Sequence, residues 1–316
     1  VTATEFDLIE RIRARTPADR SVVVGIGDDA ALLLPDPERL LVTTTDSLIP
    51  ERHFLPDWPA AAIGHLALAV NLSDLAAMGA RPRWALLALT LPASDADWLD
   101  AFLDGFLALS AEHGVTLVGG NLARGPLNIG VQLIGDIAPG TEPLRSAARI
   151  GDLIAVTGSL GDAAAAWRLG ADADPALLER WQRPAPRIEA GRILAPKVHA
   201  MMDISDGLLA DLGKLIAASG CAARINLPRL PSSPALLNVI PAPQERHRIQ
   251  AEGGSDYELL VTLDGNQLEA LRTQLAEAGQ RLTVIGEIIA GDELEIVDEA
   301  GQRVEMRSDG WDHFKN

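Results

Sequence analysis

Cysteine occurs once in the chain, as Cys221. A lone thiol excludes an intramolecular disulfide and a cysteine-rich zinc site. A reducing, cytoplasmic setting is the expectation. Basic residues are also scarce: 27 Lys and Arg face 44 Asp and Glu, for a formal charge of −17. Such a surface repels nucleic acid and anionic membrane, both of which are bound through basic patches. No uninterrupted apolar run approaches the length of a bilayer span. The opening residues, VTATEFDL, lack the basic and apolar regions of a signal peptide. The common nucleophile arrangements are missing too: there is no G-x-S-x-G elbow and no Cys–His pair. His53 has no second histidine at metal-ligand spacing, which argues against zinc.

What is present suits two domains of ordinary size, since the chain has 316 residues, 47% of them apolar and 22% charged. Hydrophobic spacing and a Thr4–Asp7 capping box predict a helix over 4–15. Strands are expected at 22–26, 31–34 and 40–45, the last with Asp46 at its end. A long Ala/Leu-rich helix should run from Asp57 and Pro59 to about 78. Further elements are strands at 84–91, 115–118 and 127–137 and a helix at 94–113. The sequence APGTEP at 138–143 marks a break, giving domains 1–137 and 138–316. Beyond it, strands are expected at 153–157, 200–204, 222–227, 257–263, 282–288 and 294–297. Helices are expected at 162–169, 187–194, 208–219 and 267–278. Strands and helices alternate in both halves, so the fold class is α/β, in a mixed α+β form.

The polar residues that stand out are acids at element ends. GIGDDAA at 25–31 reads as strand, turn, strand, with Asp28 and Asp29 adjacent at the turn. Neighbouring carboxylates repel unless they are solvated or neutralised. A divalent cation with hard oxygen ligands is the simplest neutraliser, and a solvated acidic turn is the alternative. The same stretch matches G-x-G-x-x-A, but no helix follows it, so a dinucleotide-binding turn is rejected. Asp46 closes the hydroxyl-rich TTTDS. Asn71 and Asp74 lie three apart on one face of an apolar helix. Asp203 and Asp206 bracket Ser205 in DISDG, where a helix cap is the competing account of Asp206. Gly119-Gly120 and the GSLG at 158–161 are glycine turns that can present N–H groups to phosphate. Arg124, Arg145 and Arg149 are candidate phosphate contacts. Several acidic clusters with few bases suit a polyphosphate bridged by magnesium ions.

These motifs also carry a resemblance. GIGDDA at 25–30, Thr45-Asp46 with His53-Phe54, AVNLSDLAAMG at 69–79 and Gly119-Gly120 with RGP at 124–126 resemble the thiamine-monophosphate kinase family. That family belongs to the aminoimidazole-ribonucleotide-synthetase superfamily. VTG at 156–158, DISDG at 203–207, Gly253-Gly254 with DYEL at 256–259, and WDHF at 311–314 extend the match almost end to end. The resemblance implies an N-terminal sheet domain that pairs in a homodimer and a C-terminal α/β domain whose aromatic tail returns to the site. It implies ATP as co-substrate, thiamine monophosphate as acceptor, and several Mg2+ ions. The implied metal ligands are Asp29, Thr44, Thr45, Asp46, Asp74, Asp203 and Asp206. Gly119, Gly120, Arg145 and Ser205 would contact ATP, and His53 and Trp311 the substrate.

Two positions depart from the family pattern. Asn121 stands where the family has an aspartate, and offers magnesium an oxygen without charge. Ser255 stands where the family has a substrate-contacting glutamate. These two substitutions support one alternative, a homologue that binds nucleotide or thiamine phosphate with reduced or altered turnover.

Overall fold

The computed structural model describes residues 3–307. The chain divides into two compact units. The first comprises the chain up to Leu75 together with Ala80–Gly140; the second comprises Ala76–Gly79 and the chain from Thr141 on.

The first unit opens with α1 (Glu5–Arg15), started by the expected capping box between Thr4 and Asp7. A short antiparallel pair follows, β1 (Val22–Val24) and β2 (Leu32–Leu33), with the acidic turn between them. Next come β3 (Leu40–Leu48), α2 (Ala60–Ala77), β4 (Arg81–Leu91), α3 (Ala96–His113), β5 (Thr116–Arg124) and β6 (Asn128–Ile137). The four long strands form a sheet in the order β3-β6-β4-β5, antiparallel except for β4 beside β5.

Helix α2 is apolar on nearly every side, and Leu68, Leu72 and Leu75 are completely buried. Its length and composition would allow it to cross a membrane, although no long unbroken apolar run was evident in the sequence; 78% of it is buried in the protein interior instead. Helix α3 starts at an Asp95 cap that accepts from the Trp98 N–H and stops at Gly114 in the left-handed conformation. The two helices cross at glycines. A Cβ on Gly105 would sit 1.8 Å from the Ala61 carbonyl oxygen, and one on Gly64 2.0 Å from that of Phe102. At one end of the sheet, Arg39, Arg81 and Arg83 converge on the buried Asp136.

The second unit contains β7 (Leu153–Thr157), α4 (Asp162–Leu169), α5 (Pro175–Gln182), α6 (Ile188–Leu194), β8 (Ala200–Asp203) and α7 (Leu208–Ser219). It continues with β9 (Ala222–Asn226), α8 (Pro234–Val239), α9 (Pro243–Glu252), β10 (Leu259–Leu263), α10 (Leu268–Glu277), β11 (Leu282–Ile289) and β12 (Leu294–Val297). Its sheet runs β12-β9-β11-β7-β10-β8, with only β12 and β9 parallel. Strands β7 and β10 lie inside the sheet, with neighbours on both sides, and are almost wholly buried, which explains their unbroken apolar runs. Leu208, Leu212 and Leu215 of α7 pack into one core with Ile154, Val156, Ile225 and Leu260.

Candidate active site

In the first unit, strand alternation sorts the hydroxyls and acids of β3. Val42, Thr44, Asp46 and Leu48 are partly or wholly buried, while Thr43, Thr45 and Ser47 are exposed. Thr44 and Asp46 thus share the face that meets α2, where the Thr44 hydroxyl donates to Asp74 Oδ2 at 2.5 Å. Thr45 points the other way, and its hydroxyl donates to the Val131 carbonyl. Asp46 was expected at the strand's end but lies inside it, because pairing with β6 continues to Leu48 opposite Ile129. Asn71, one turn before Asp74, is buried and donates to the Ala67 carbonyl.

Asp28 and Asp29 are exposed in the turn between β1 and β2. The Asp28 carboxylate accepts the Asp29 N–H at 2.9 Å, so one acid serves the turn and leaves the Asp29 side chain outside it. Gly119 and Gly120 were read as a turn after a strand. They lie within β5, which continues to Arg124. The reason for glycine is close approach: a Cβ on Gly120, whose φ is +152°, would lie 1.8 Å from the Leu87 carbonyl oxygen on β4. Asn121 follows, exposed and opposite Ala88. His53 sits in the turn after β3, and its Nδ1 accepts the Ile49 N–H at 3.1 Å.

In the second unit, Asp203 ends β8 and is buried. Ser205 and Asp206 form the bend before α7, and both of their N–H groups donate to Asp211 Oδ2 at 3.0 Å. Asp211 is completely buried, and burial pushes its carboxyl above the ordinary range despite the hydrogen bond from Lys214. Lys214 reaches back to Asp206 Oδ2 at 2.5 Å and Asp211 Oδ1 at 2.7 Å. Burial opposes its charge, but these two carboxylates prevail and hold the ammonium above its ordinary value. The helix cap that competed as an account of Asp206 is not made by its side chain; Gly207 occupies the cap position of α7.

The loop from Gly253 to Glu258 packs on this bend. The Ser255 N–H donates to the Ser205 carbonyl and the Tyr257 N–H to the Ile204 carbonyl, both at 2.8 Å. A Cβ on Gly254 would lie 2.5 Å from the Ser205 carbonyl oxygen. The fit needs left-handed backbone at two residues that are not glycine, Ser255 at φ +65° and Tyr257 at φ +51°. Asp256 is buried and accepts the Gly161 N–H at 2.8 Å. Glu258 is fully buried against Gly158 and is gripped by Thr157, Arg180 and Arg187. Arg145 is exposed in a short 3₁₀ turn, and its carbonyl accepts from Ser219. Trp311 lies outside the described residues.

Sequence reasoning missed Asp211, Lys214, Arg180 and Arg187. An acid and a lysine three apart on α7 was the one readable signal, for the first two.

Residues 27–137 match the AIR synthase related protein, N-terminal domain, and residues 149–299 its C-terminal domain. The chain is 42% identical to the thiamine-monophosphate kinase of Escherichia coli K12, over 98% of both chains. The chain belongs to the thiamine-monophosphate kinase family. The crystal structure of the Stenotrophomonas maltophilia K279a member superposes with a TM-score of 0.88 at 42% identity, covering 95% of this chain and 98% of the other. AaThiL complexed with AMPPCP and TMP superposes at 0.77 with 32% identity, covering 98% and 97%.

The donors present suit the magnesium that this kinase family uses. Thr44, Asp46 and Asp74 offer only oxygen, and the Asp206 carboxylate already holds a cation in the Lys214 ammonium. Among the described residues no three His, Cys, Asp or Glu gather into a self-sufficient metal cage. Magnesium does not need one, because it keeps several waters and takes one or two carboxylates together with substrate phosphates.

Proposed function

We infer that this chain transfers the terminal phosphoryl group of ATP to thiamine monophosphate, giving thiamine diphosphate and ADP. The observation that carries this is the set of oxygen donors where β3 meets α2, Thr44 and Asp46 on one face of β3 and Asp74 of α2 bound by the Thr44 hydroxyl, in a chain of this family. The acceptor is a phosphate oxygen, already ionised at neutral pH, so the reaction needs no general base. The task is to bring two anions together. Bound Mg2+ supplies charge neutralisation and alignment.

Asp29, Thr44, Thr45, Asp46, Asp74, Asn121, Asp203 and Asp206 are the residues we assign to the ions. Gly119, Gly120, Arg145 and Ser205 are assigned to ATP, and His53, Ser255 and Trp311 to the thiamine phosphate. Trp311 stacked on the cationic thiamine rings would contribute about 0.5–2 kcal/mol. We place the enzyme in the cytoplasm, in keeping with its single cysteine. It works as a homodimer, the second copy covering the sheet face that carries Thr43, Thr45 and Gln132, all exposed in the single chain. A homologue that binds without turnover is not favoured, because the relatives matched along nearly their whole length are kinases.

The test is ADP release with ATP and Mg2+. Stimulation by thiamine monophosphate and none by thiamine is the expected result. No stimulation at saturating ATP and Mg2+ overturns the assignment.

A further inference from the structure

We propose that Lys214 is a resident counter-cation for Asp206, competing with the divalent ion for that carboxylate and thereby setting the concentration at which the ion binds. This rests on the reading of Asp206 as a metal ligand. The geometry is specific. Asp211 and Lys214 lie three residues apart on α7 and so share a face. Gly207, at φ +114° with its Cβ position 2.8 Å from the Glu252 carbonyl oxygen, makes a turn that a side chain would obstruct. That turn carries Asp206 back over the first turns of α7, within 2.5 Å of the ammonium.

The two ends of this bridge are unequal. Asp211 is sealed in the interior and is committed to the Ser205 and Asp206 N–H groups through its other oxygen. The Asp206 side chain is 35% exposed and that of Lys214 46%. An ion pair so open to water is weak, so a divalent ion can take Asp206 while the ammonium stays on Asp211. A lysine suits this exchange, because its donors rotate on a flexible stem where an arginine fork would hold one geometry. Until the ion arrives, the ammonium keeps Asp206 aimed along α7 and neutralises the acids of the bend.

The experiment titrates the full chain with Mn2+ alone and reads the free ion by electron paramagnetic resonance. In Asp206→Asn, binding should weaken by about tenfold or more, as expected when a charged ligand is lost. In Lys214→Met, binding should tighten by about three- to tenfold, because a positive charge and a competitor leave together. Lys214→Arg should bind the ion no more tightly than the parent, since the charge remains and the fork releases Asp206 less readily. A purely structural role for Lys214 predicts the opposite sign, since a loosened bend would bind the ion more weakly. Unchanged or weaker binding in Lys214→Met overturns the proposal while leaving Asp206 as a ligand. Unaltered binding in Asp206→Asn removes that ligand assignment, and the proposal with it. Should Lys214→Met not fold, Lys214→Gln, neutral and still able to hydrogen-bond Asp211, replaces it with the same expected direction.

Discussion

Arg187 lays two parallel hydrogen bonds along the carboxylate of Glu258, Nε to Oε2 at 2.7 Å and Nη2 to Oε1 at 2.5 Å. Arg180 adds a third at 2.7 Å and the Thr157 hydroxyl a fourth at 2.7 Å. The same hydroxyl accepts the Leu259 N–H, tying β7 to β10 beside Gly158. The acid is fully buried, so its charge depends on these partners. Removing it with Glu258→Ala leaves two guanidinium groups facing an empty site, and the second unit should lose about 3–5 kcal/mol. Arg187→Lys should also destabilise, because an ammonium cannot reproduce the fork. Urea denaturation of each variant measures both effects.

Asp256 is a second buried acid with a different fate. One oxygen accepts the Gly161 N–H, while Oδ2 has no hydrogen-bond partner. Burial pushes this carboxyl well above its ordinary value of 3.8. The sign follows from linkage: the folded state keeps the proton while the unfolded chain releases it, so stability falls as pH rises from about 3.8 toward the folded value. Asp256→Asn carries no charge at any pH and keeps an acceptor for Gly161. Its stability should therefore fall less than the parent's between acid and neutral pH, by about 1.4 kcal/mol for each pH unit of the titration removed. Denaturation at a series of pH values tests this, and parallel curves for the two proteins would refute it.

Much of the fold was legible because its signals are local. The turn at 25–31 was read as strand–turn–strand from the apolar residues after it, and β1 and β2 pair across it. The capping box of α1 and the Asp-rich start of α3 were equally readable. Three helices, α5, α8 and α9, were not read. Each begins at a proline, Pro175, Pro234 or Pro243, and that was the signal available. Gly119 and Gly120 looked like a turn because what crowds them, the Leu86 side chain and the Leu87 carbonyl, lies on a neighbouring strand. The acids at 203 and 206 stood out by clustering. Arg180 and Arg187 did not, since they meet Glu258 across 78 and 71 residues of chain.

The crossing of α2 and α3 gives a prediction about packing alone. Gly105→Ala would place a methyl 1.8 Å from the Ala61 carbonyl oxygen, so the helices must separate. Forcing even one methyl into a tight core costs about 1–3 kcal/mol. Gly114→Ala is a useful contrast: no atom lies within 4 Å of its Cβ position, but φ is +66°, so its penalty is backbone strain. Thermal denaturation should show both variants destabilised, with only Gly105→Ala also shifting the near-ultraviolet signal of Trp98, which stacks on Phe102 at a centroid distance of 5.3 Å.

The two departures from the family pattern can be separated by reversing them. Asn121 is exposed on β5, next to Gly120, so an added charge there incurs little desolvation. Asn121→Asp should lower the Mg2+ concentration for half-maximal kinase activity by about three- to tenfold, the effect of one further carboxylate on a divalent ion. Ser255 already adopts φ +65°, so the left-handed cost is present in the parent and Ser255→Glu adds little to it. That variant should lower the KM for thiamine monophosphate and leave the Mg2+ dependence alone. Ser255→Gly should instead stabilise the fold by about 1 kcal/mol by removing the strain, without improving KM. An Asn121→Asp protein with unchanged Mg2+ dependence would show that the amide oxygen already serves as well as a carboxylate.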